Sequence, residues 1–246
     1  MFKDLRRTVG RQMMILLVLA GAVVVFSDQL LRLGLVAGGR YAVGAPVMIG
    51  ATDFDLRAGT LRLGELEVAN PEGFESPFFL RIENCEVEMD LPWRGAEPAR
   101  IRRLVLQGVS LQVEQSAHGS NAATILGRLR RFTDSESKTG SFAMDRIELR
   151  DATARVVFAP SLGRLGEVEV ELQDVALLED EMGLQAGHGF VLAHRAVQRL
   201  VDLTLLAVSR SEAFPISTAL EAELRGRLGR IEPLGGGALV PMAHRR

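Results

Sequence analysis

Six runs in this chain alternate apolar with other residues and then lose step by one position: "VMIGATDFDL" from Val47, "LRLGELEV" from Leu61, "LRIENCEVEM" from Leu80, "LVLQGVSLQV" from Leu104, "IELRDATARV" from Ile147 and "VELQDVALL" from Val170. The step is lost at Ala51, Glu65, Asn84, Gly108, Asp151 and Asp174. Alternation is the signature of a strand with one face buried, and a one-residue slip in a simple strand would turn the second half's apolar side chains to the opposite face. A single extra residue, as in a β-bulge, returns them to one face, and Gly, Asn and Asp tolerate such backbone best. The pattern predicts long kinked strands with one continuous apolar face. Its alternative is pairs of short strands joined by very tight turns.

Between the second and third runs stands "NPEGF". Asn70 at the first turn position, Pro71 at the second and Gly73 at the fourth predict a type I turn, with Phe74, Phe78 and Phe79 folding over the sheet end. Copies this close, with "RGAEPAR" (Arg94 to Arg100) as the next connection, predict an antiparallel meander of about six strands. Helices interrupt it. Ser120 or Asn121 is placed to cap a short helix with Ile125, Leu126 and Leu129 on one face, and a longer apolar helix is expected from Phe190 to Val208. An amphipathic helix with Leu220, Leu224, Leu228 and Ile231 on one stripe follows. The fold class expected is α+β, mainly β: an N-terminal transmembrane helix, a curved antiparallel sheet, and packed helices in the second half. Residues 1–43 form the basic flank, anchor and helical extension; 44–132 a first β lobe; 133–141 a linker; 142–232 a second lobe; and 233–246 a flexible tail.

The anchor is read from the first 27 residues. Lys3, Arg6, Arg7 and Arg11 stand against Asp4, and Gln12 to Ser27 follows as 16 uncharged residues, slightly short for a spanning helix. Met13, Leu16, Leu17, Leu19, Val23, Val24, Val25 and Phe26 are its membrane-facing candidates. A cleaved secretory signal would look similar, with Val25-Phe26-Ser27 as the cleavage site, and a buried core helix is a third reading. Leu30, Leu31 and Leu35 continue the helical spacing past Ser27, which favours a retained anchor. The basic flank keeps the N-terminus in the cytoplasm and exports the rest. A formal charge of -2 calls for no nucleic acid, and the single Cys85 excludes an internal disulfide framework.

Catalytic patterns are sparse. His118, His188, His194 and His244 lack the i, i+4 spacing of a zinc pair, and exposed or structural histidine is the simpler reading. Asp53 and Asp55 share one strand face, as a polar outer face requires; a metal site would need a third acidic group beside them. "GLQAGHG" (Gly183 to Gly189) lacks phosphate-loop spacing and reads as a flexible lead into the long helix. Cys85 falls on the apolar parity of its strand, where a thiol is an inert core group. No enzyme activity, catalytic residue, metal or cofactor is expected.

The N-terminal anchor, "GAPVMIGATDFDLRAGTLRLGELEVANPEGF", "IRRLVLQGVSLQVEQSAHGSNAATILGRL" and "ELQDVALLEDEMGLQAGHGF" before a long helix together resemble the AsmA-like family of bacterial envelope proteins. The "NPEGF" turn followed by "LRIENCEVEMDL" is the most specific part, with Asn70, Pro71, Gly73 and Phe74 as its signature. The resemblance implies a single-pass inner-membrane protein, mostly periplasmic, concerned with envelope or outer-membrane assembly; larger relatives are associated with lipid-guiding grooves. It implies membrane lipid as a partner, with envelope proteins or further copies of the chain beside it, and no nucleic acid. If a groove exists, Leu80, Ile82, Val87, Met89, Leu104, Leu106, Val109 and Leu111 are its lipid-facing candidates. Six strands at about 4.8 Å each make roughly 30 Å of groove, so one copy could shelter part of a lipid but not bridge an envelope. The other outcome for such a face is intramolecular burial by the helices, leaving no groove.

Overall fold

Five of the six slipping runs are single strands in the computed structural model, and the sixth is broken at residues 173–174 into two short ones; the structure describes residues 27–90, 99–116, 119–133, 141–158, 166–178, 187–209, 232–233 and 243–244. In chain order these hold α1 (Ser27–Val43), β1 (Val47–Asp55), β2 (Thr60–Val68), β3 (Leu80–Asp90), β4 (Ala99–Ser116), β5 (Gly119–Ser120) and α2 (Asn121–Thr133). Then come β6 (Ser141–Met144), β7 (Arg146–Phe158), β8 (Glu167–Leu172), β9 (Val175–Leu178), β10 (Gly187–His188), α3 (Gly189–Ser209), β11 (Glu232–Pro233) and β12 (Ala243–His244). The principal strands run in the order β1-β2-β3-β4-β7-β8, in one curved sheet that does not close on itself. The protein is mainly β, with three helices among the described residues.

At one level of β1, β2, β3, β4 and β7, and at the break between β8 and β9, the inward-facing residue advances by three instead of two. Ile49 is followed by Thr52, Leu63 by Leu66, Ile82 by Cys85, Leu106 by Val109, Leu149 by Ala152, and Leu172 by Val175. These steps are aligned. Ile49 lies opposite Leu66, Leu66 opposite Ile82, Ile82 opposite Val109, Val109 opposite Ala152 and Ala152 opposite Leu172. Isolated two-against-one bulges were the expectation; instead the extra residue falls at the same level in each, so register is unchanged across the line. We call this line the crease. An ordinary bulge does occur elsewhere, at Arg102, where Glu88 and Met89 face Arg103 and Ile101. Three crease residues take the left-handed backbone: Glu65 at φ 54°, Gly108 at φ 65° and Asp151 at φ 49°. That conformation reverses which way the next side chain points, so the apolar parity changes while the apolar face does not.

One expectation about topology is corrected. β7 pairs with β4 in parallel, from Leu104 opposite Ile147 to Gln115 opposite Phe158, so the sheet is mixed rather than an antiparallel meander. The reason is α2. A helix after β4 returns the chain toward that strand's start, and the next strand then runs the same way. The same pairing unites the two lobes expected either side of residues 133–141 into one sheet. In the tail, Pro233 pairs with Val175, and Ala243 and His244 pair with β8.

The three helices lie on the inner face. α1 follows the edge strand β1: Asp28 Oδ1 accepts from the Phe54 amide (3.1 Å) at one end, and Ala42 and Val47 share the core at the other. Gly44 ends α1 at φ 64°, its amide donating to Arg40 O, and Arg128 of α2 donates to Val43 O. That is the left-handed cap typical of helix C-termini. α2 packs between α1 and α3 with Ile125 and Leu129 buried, while α3 covers β7 and β8 through Leu192, Leu200, Leu203 and Leu206. We call the end with Asp55, Asp90, Ala99 and the starts of α1 and α3 the lower end, and the end with Val47, Val68 and Leu80 the upper. The anchor candidates Met13, Leu16, Leu17, Leu19, Val23, Val24, Val25 and Phe26, and the expected helix at 216–231, lie outside the described residues. Among the described residues no helix is long and apolar enough to cross a membrane.

Candidate functional site

The eight lipid-facing candidates share the inner face and divide at the crease. Above it, Leu80 opposite Leu111 and Ile82 opposite Val109 are buried in the main core; Val109 and Leu111 are each 1% exposed. Below it, Val87 opposite Leu104 is buried, while Met89, Leu104 and Leu106 are half-buried, joined by Phe54 and Ile101. α3 reaches this lower half through Leu192 and Ala196, which pack with Ile101, Leu104, Leu106, Met144 and Ile147. Most of the face is therefore dry core, with a half-covered apolar strip beneath the crease. Cys85 is buried in this layer, and burial pushes its thiol up to about 12, so it stays protonated and unreactive.

The turn signature is held by a polar knot that no local motif announced. Its turn residues are Glu72 and Gly73, with Gly73 at φ 93°, so glycine occupies the third position of a type II-like turn and not the fourth of a type I turn. Pro71 and Phe79 are buried, and Phe74 is half-buried. Asn70 Nδ2 donates to Ser76 O, and Asn121 Nδ2 donates to Asn70 Oδ1 and Gln112 O. Asn121 Oδ1 accepts from the amides of Glu114 and Ala122, tying the first residue of α2 to the end of β4. The Glu114 carboxylate accepts from the amides of Glu75 and Ser76 (2.7–3.0 Å). Burial raises the Glu114 carboxyl, but these amide bonds outweigh it and leave it below the ordinary range.

The outer face is a ladder of cross-strand ion pairs, among them Arg62 with Glu86, Arg81 with Glu67 and Arg155 with Glu167. Its hub is Glu148, whose side chain is only 6% exposed and meets Arg103 (2.7 Å), Arg150 (2.8 Å) and Arg146 (3.0 Å). The Arg103 hydrogen bond, helped by Arg150 and opposed by burial, holds the Glu148 carboxyl at about 2. At the crease the outer face is pinched where glutamates lie over glycines, Glu65 over Gly50 and Glu83 over Gly108. Beside it is an open depression of about 400 Å³, with Ala51, Gly64, Asn84 and Gln107 along the crease, Val105 beneath and Asp53, Arg62 and Glu86 around it.

The remaining sequence candidates have local partners. Asp53 lies 3.9 Å from Arg62, and Asp55 accepts from the amides of Ala58 and Arg57, which lower its carboxyl. His188 pairs with Ser141 in β10, so part of the glycine-rich lead into α3 is a strand pairing. His194 sits on α3, its pKa lowered by burial and by Arg130 and Arg195. His118 lies outside the described residues, as does most of Gly183 to Gly189. Among the described residues no cluster of three metal-ligating side chains is found.

One edge of the sheet is unpaired. β1 pairs only with β2, and among the described residues no strand lies along its other side. Pro46 O accepts from the Ala69 amide, so the antiparallel alternation turns the backbone groups of Val47 and Ile49 toward the free side. No protein-family model matches the chain, and comparison with curated proteins returns no match.

Proposed function

We propose that the chain is a membrane-anchored, non-enzymatic periplasmic protein of the AsmA-like type that acts as an assembly or scaffold factor in the envelope. The observation that carries this reading is the pairing of a dry interior with an open β1 edge. An inner face buried above the crease has little room to carry cargo, whereas a strand with unpaired amides and carbonyls is a ready template for an added strand. Met48, between Val47 and Ile49 near the upper end of that edge and 52% exposed, is a position from which it can be blocked.

The test is site-specific photo-crosslinking from a probe at exposed Asp53 of the same strand, in the full chain in cells, with and without Met48→Lys. A lysine on an edge strand discourages strand addition without entering the core. The reading expects a discrete crosslinked envelope partner that the lysine variant abolishes at unchanged protein level. Crosslinks unaffected by the lysine, or none at all, refute it. A second reading, a lipid-binding module, is favoured by one observation: the half-covered strip of Phe54, Met89, Ile101, Leu104 and Leu106 below the crease. Phospholipid co-purifying with the full chain, and lost on Leu104→Asn, supports that reading; lipid-free protein removes it.

A further inference from the structure

Among the described residues, three of the six large apolar side chains left exposed lie at the lower end: Leu30 (56% exposed) and Leu33 (66%) on α1, and Leu56 (45%) in the turn between β1 and β2. α1 has two apolar sides. Leu31, Leu35, Ala42 and Val43 face the core, whereas Leu30, Leu33 and Ala37, spaced by three and four residues, face away. The turn is beside the start of α1, because Asp28 binds the amide of Phe54, two residues before Leu56. Exposed cations stand among these leucines, Arg32 on α1 and Arg57 in the turn, while the nearby Asp28 carboxylate is turned inward to the strand.

The chain outside the described residues ends where this patch begins. Gln12 to Ser27 is 16 uncharged residues, and as a helix it reaches about 24 Å, roughly 6 Å short of a 30 Å hydrocarbon core. A span this short is met by local thinning of the bilayer, which brings the boundary to Ser27 and leaves Asp28 and Leu30 at the start of the head-group layer. Leu33 and Leu56 then fall in the head-group layer, where leucines insert and arginines reach lipid phosphates.

We propose that the lower end of the domain rests on the bilayer that holds the anchor, with Leu30, Leu33 and Leu56 inserted and Arg32 and Arg57 on phosphate groups. This rests on the anchor reading above and adds a second contact that fixes the domain's orientation. The free β1 edge then stands roughly along the membrane normal, because α1 runs beside it. The occupant is a lipid surface, since the apolar segment leading into the patch admits no gap between patch and bilayer.

The test is spin labelling of the full chain in vesicles of phosphatidylethanolamine and phosphatidylglycerol. Labels go on Leu30→Cys, Leu33→Cys and Leu56→Cys, with Val24→Cys inside the anchor and Met48→Cys on the open edge; buried Cys85 stays in place. Collision with oxygen, which concentrates in lipid, is compared with collision with a water-soluble nickel chelate. The proposal expects labels at 30, 33 and 56 to lose access to the chelate and gain access to oxygen relative to position 48. Immersion of position 24 with 30, 33 and 56 in water overturns the proposal and spares the anchor. Water at position 24 as well overturns both. Dipolar broadening between labels at position 33 on different molecules, without immersion, assigns the face to a second copy and also overturns it.

Discussion

Replacing Glu148 by glutamine keeps the shape of the side chain and removes its charge from among Arg103, Arg146 and Arg150. A carboxyl held at about 2, against an ordinary 4.5, corresponds to about 3 kcal/mol in favour of the ionised folded form. Because the folded state depresses this pKa, the unfolded chain binds the proton first as pH falls. The contribution is fully present above the unfolded value near 4.5 and is lost progressively toward pH 2. At about 2–4 °C per kcal/mol for a chain of this size, Glu148→Gln should lower the melting temperature by about 6–12 °C at pH 7. The variant cannot titrate at this position, so its deficit should shrink from about 3 kcal/mol at pH 7 to about 1.5 kcal/mol at pH 3. The assay is thermal unfolding by circular dichroism of both proteins across that range, with Glu86→Gln as comparison. Glu86 pairs with Arg62 at the surface, where such a pair is worth about 0.2–1 kcal/mol. A Glu148 deficit no larger than that of Glu86, or one that grows as pH falls, would refute the hub.

The other perturbations probe the knot and the crease. Asn121→Ala strands the Glu114 amide and the Gln112 carbonyl in the interior, and urea denaturation should show a loss of about 2–4 kcal/mol; a loss under 1 kcal/mol would dissolve the knot's importance. Gly108→Ala forces a Cβ onto a left-handed backbone within 2.6 Å of the Glu83 side chain and should cost about 1–3 kcal/mol in the same assay. Glu65→Gly should be neutral or stabilise by about 0.5 kcal/mol, where glycine in an ordinary strand interior costs up to about 1 kcal/mol; that ordinary cost at position 65 would contradict its left-handed conformation.

Local arithmetic made much of this fold legible. Three residues at which the alternation slips, Glu65, Gly108 and Asp151, are the three crease residues with left-handed backbone, because parity change is a property of each strand alone. The short helix starting at Asn121 and the long apolar helix ending near Val208 were equally readable from spacing and capping. Partnerships between strands were not. Apolar alternation is the same in parallel and antiparallel neighbours, so the β4–β7 pairing was hidden, and with it the Glu148 hub, whose partner Arg103 lies 45 residues away. The crease had a faint signal in glycines that oppose glutamates, Gly50 with Glu65 and Gly108 with Glu83, but its meaning depends on register. Fold-level reading thus reached the apolar face and stopped short of the charged and hydrogen-bonded groups that bind its layers together.

The account turns on the crease, and β3 tests it most directly. Single cysteines placed in turn at Leu80, Arg81, Ile82, Glu83, Asn84, Glu86 and Val87, beside the native Cys85, are measured for reaction with a water-soluble thiol reagent in the folded protein. Reaction at 81, 83, 84 and 86 with protection at 80, 82, 85 and 87, two adjacent open positions flanked by closed ones, is the predicted pattern. Unbroken alternation, with positions 81, 83, 85 and 87 open and the rest closed, would contradict it.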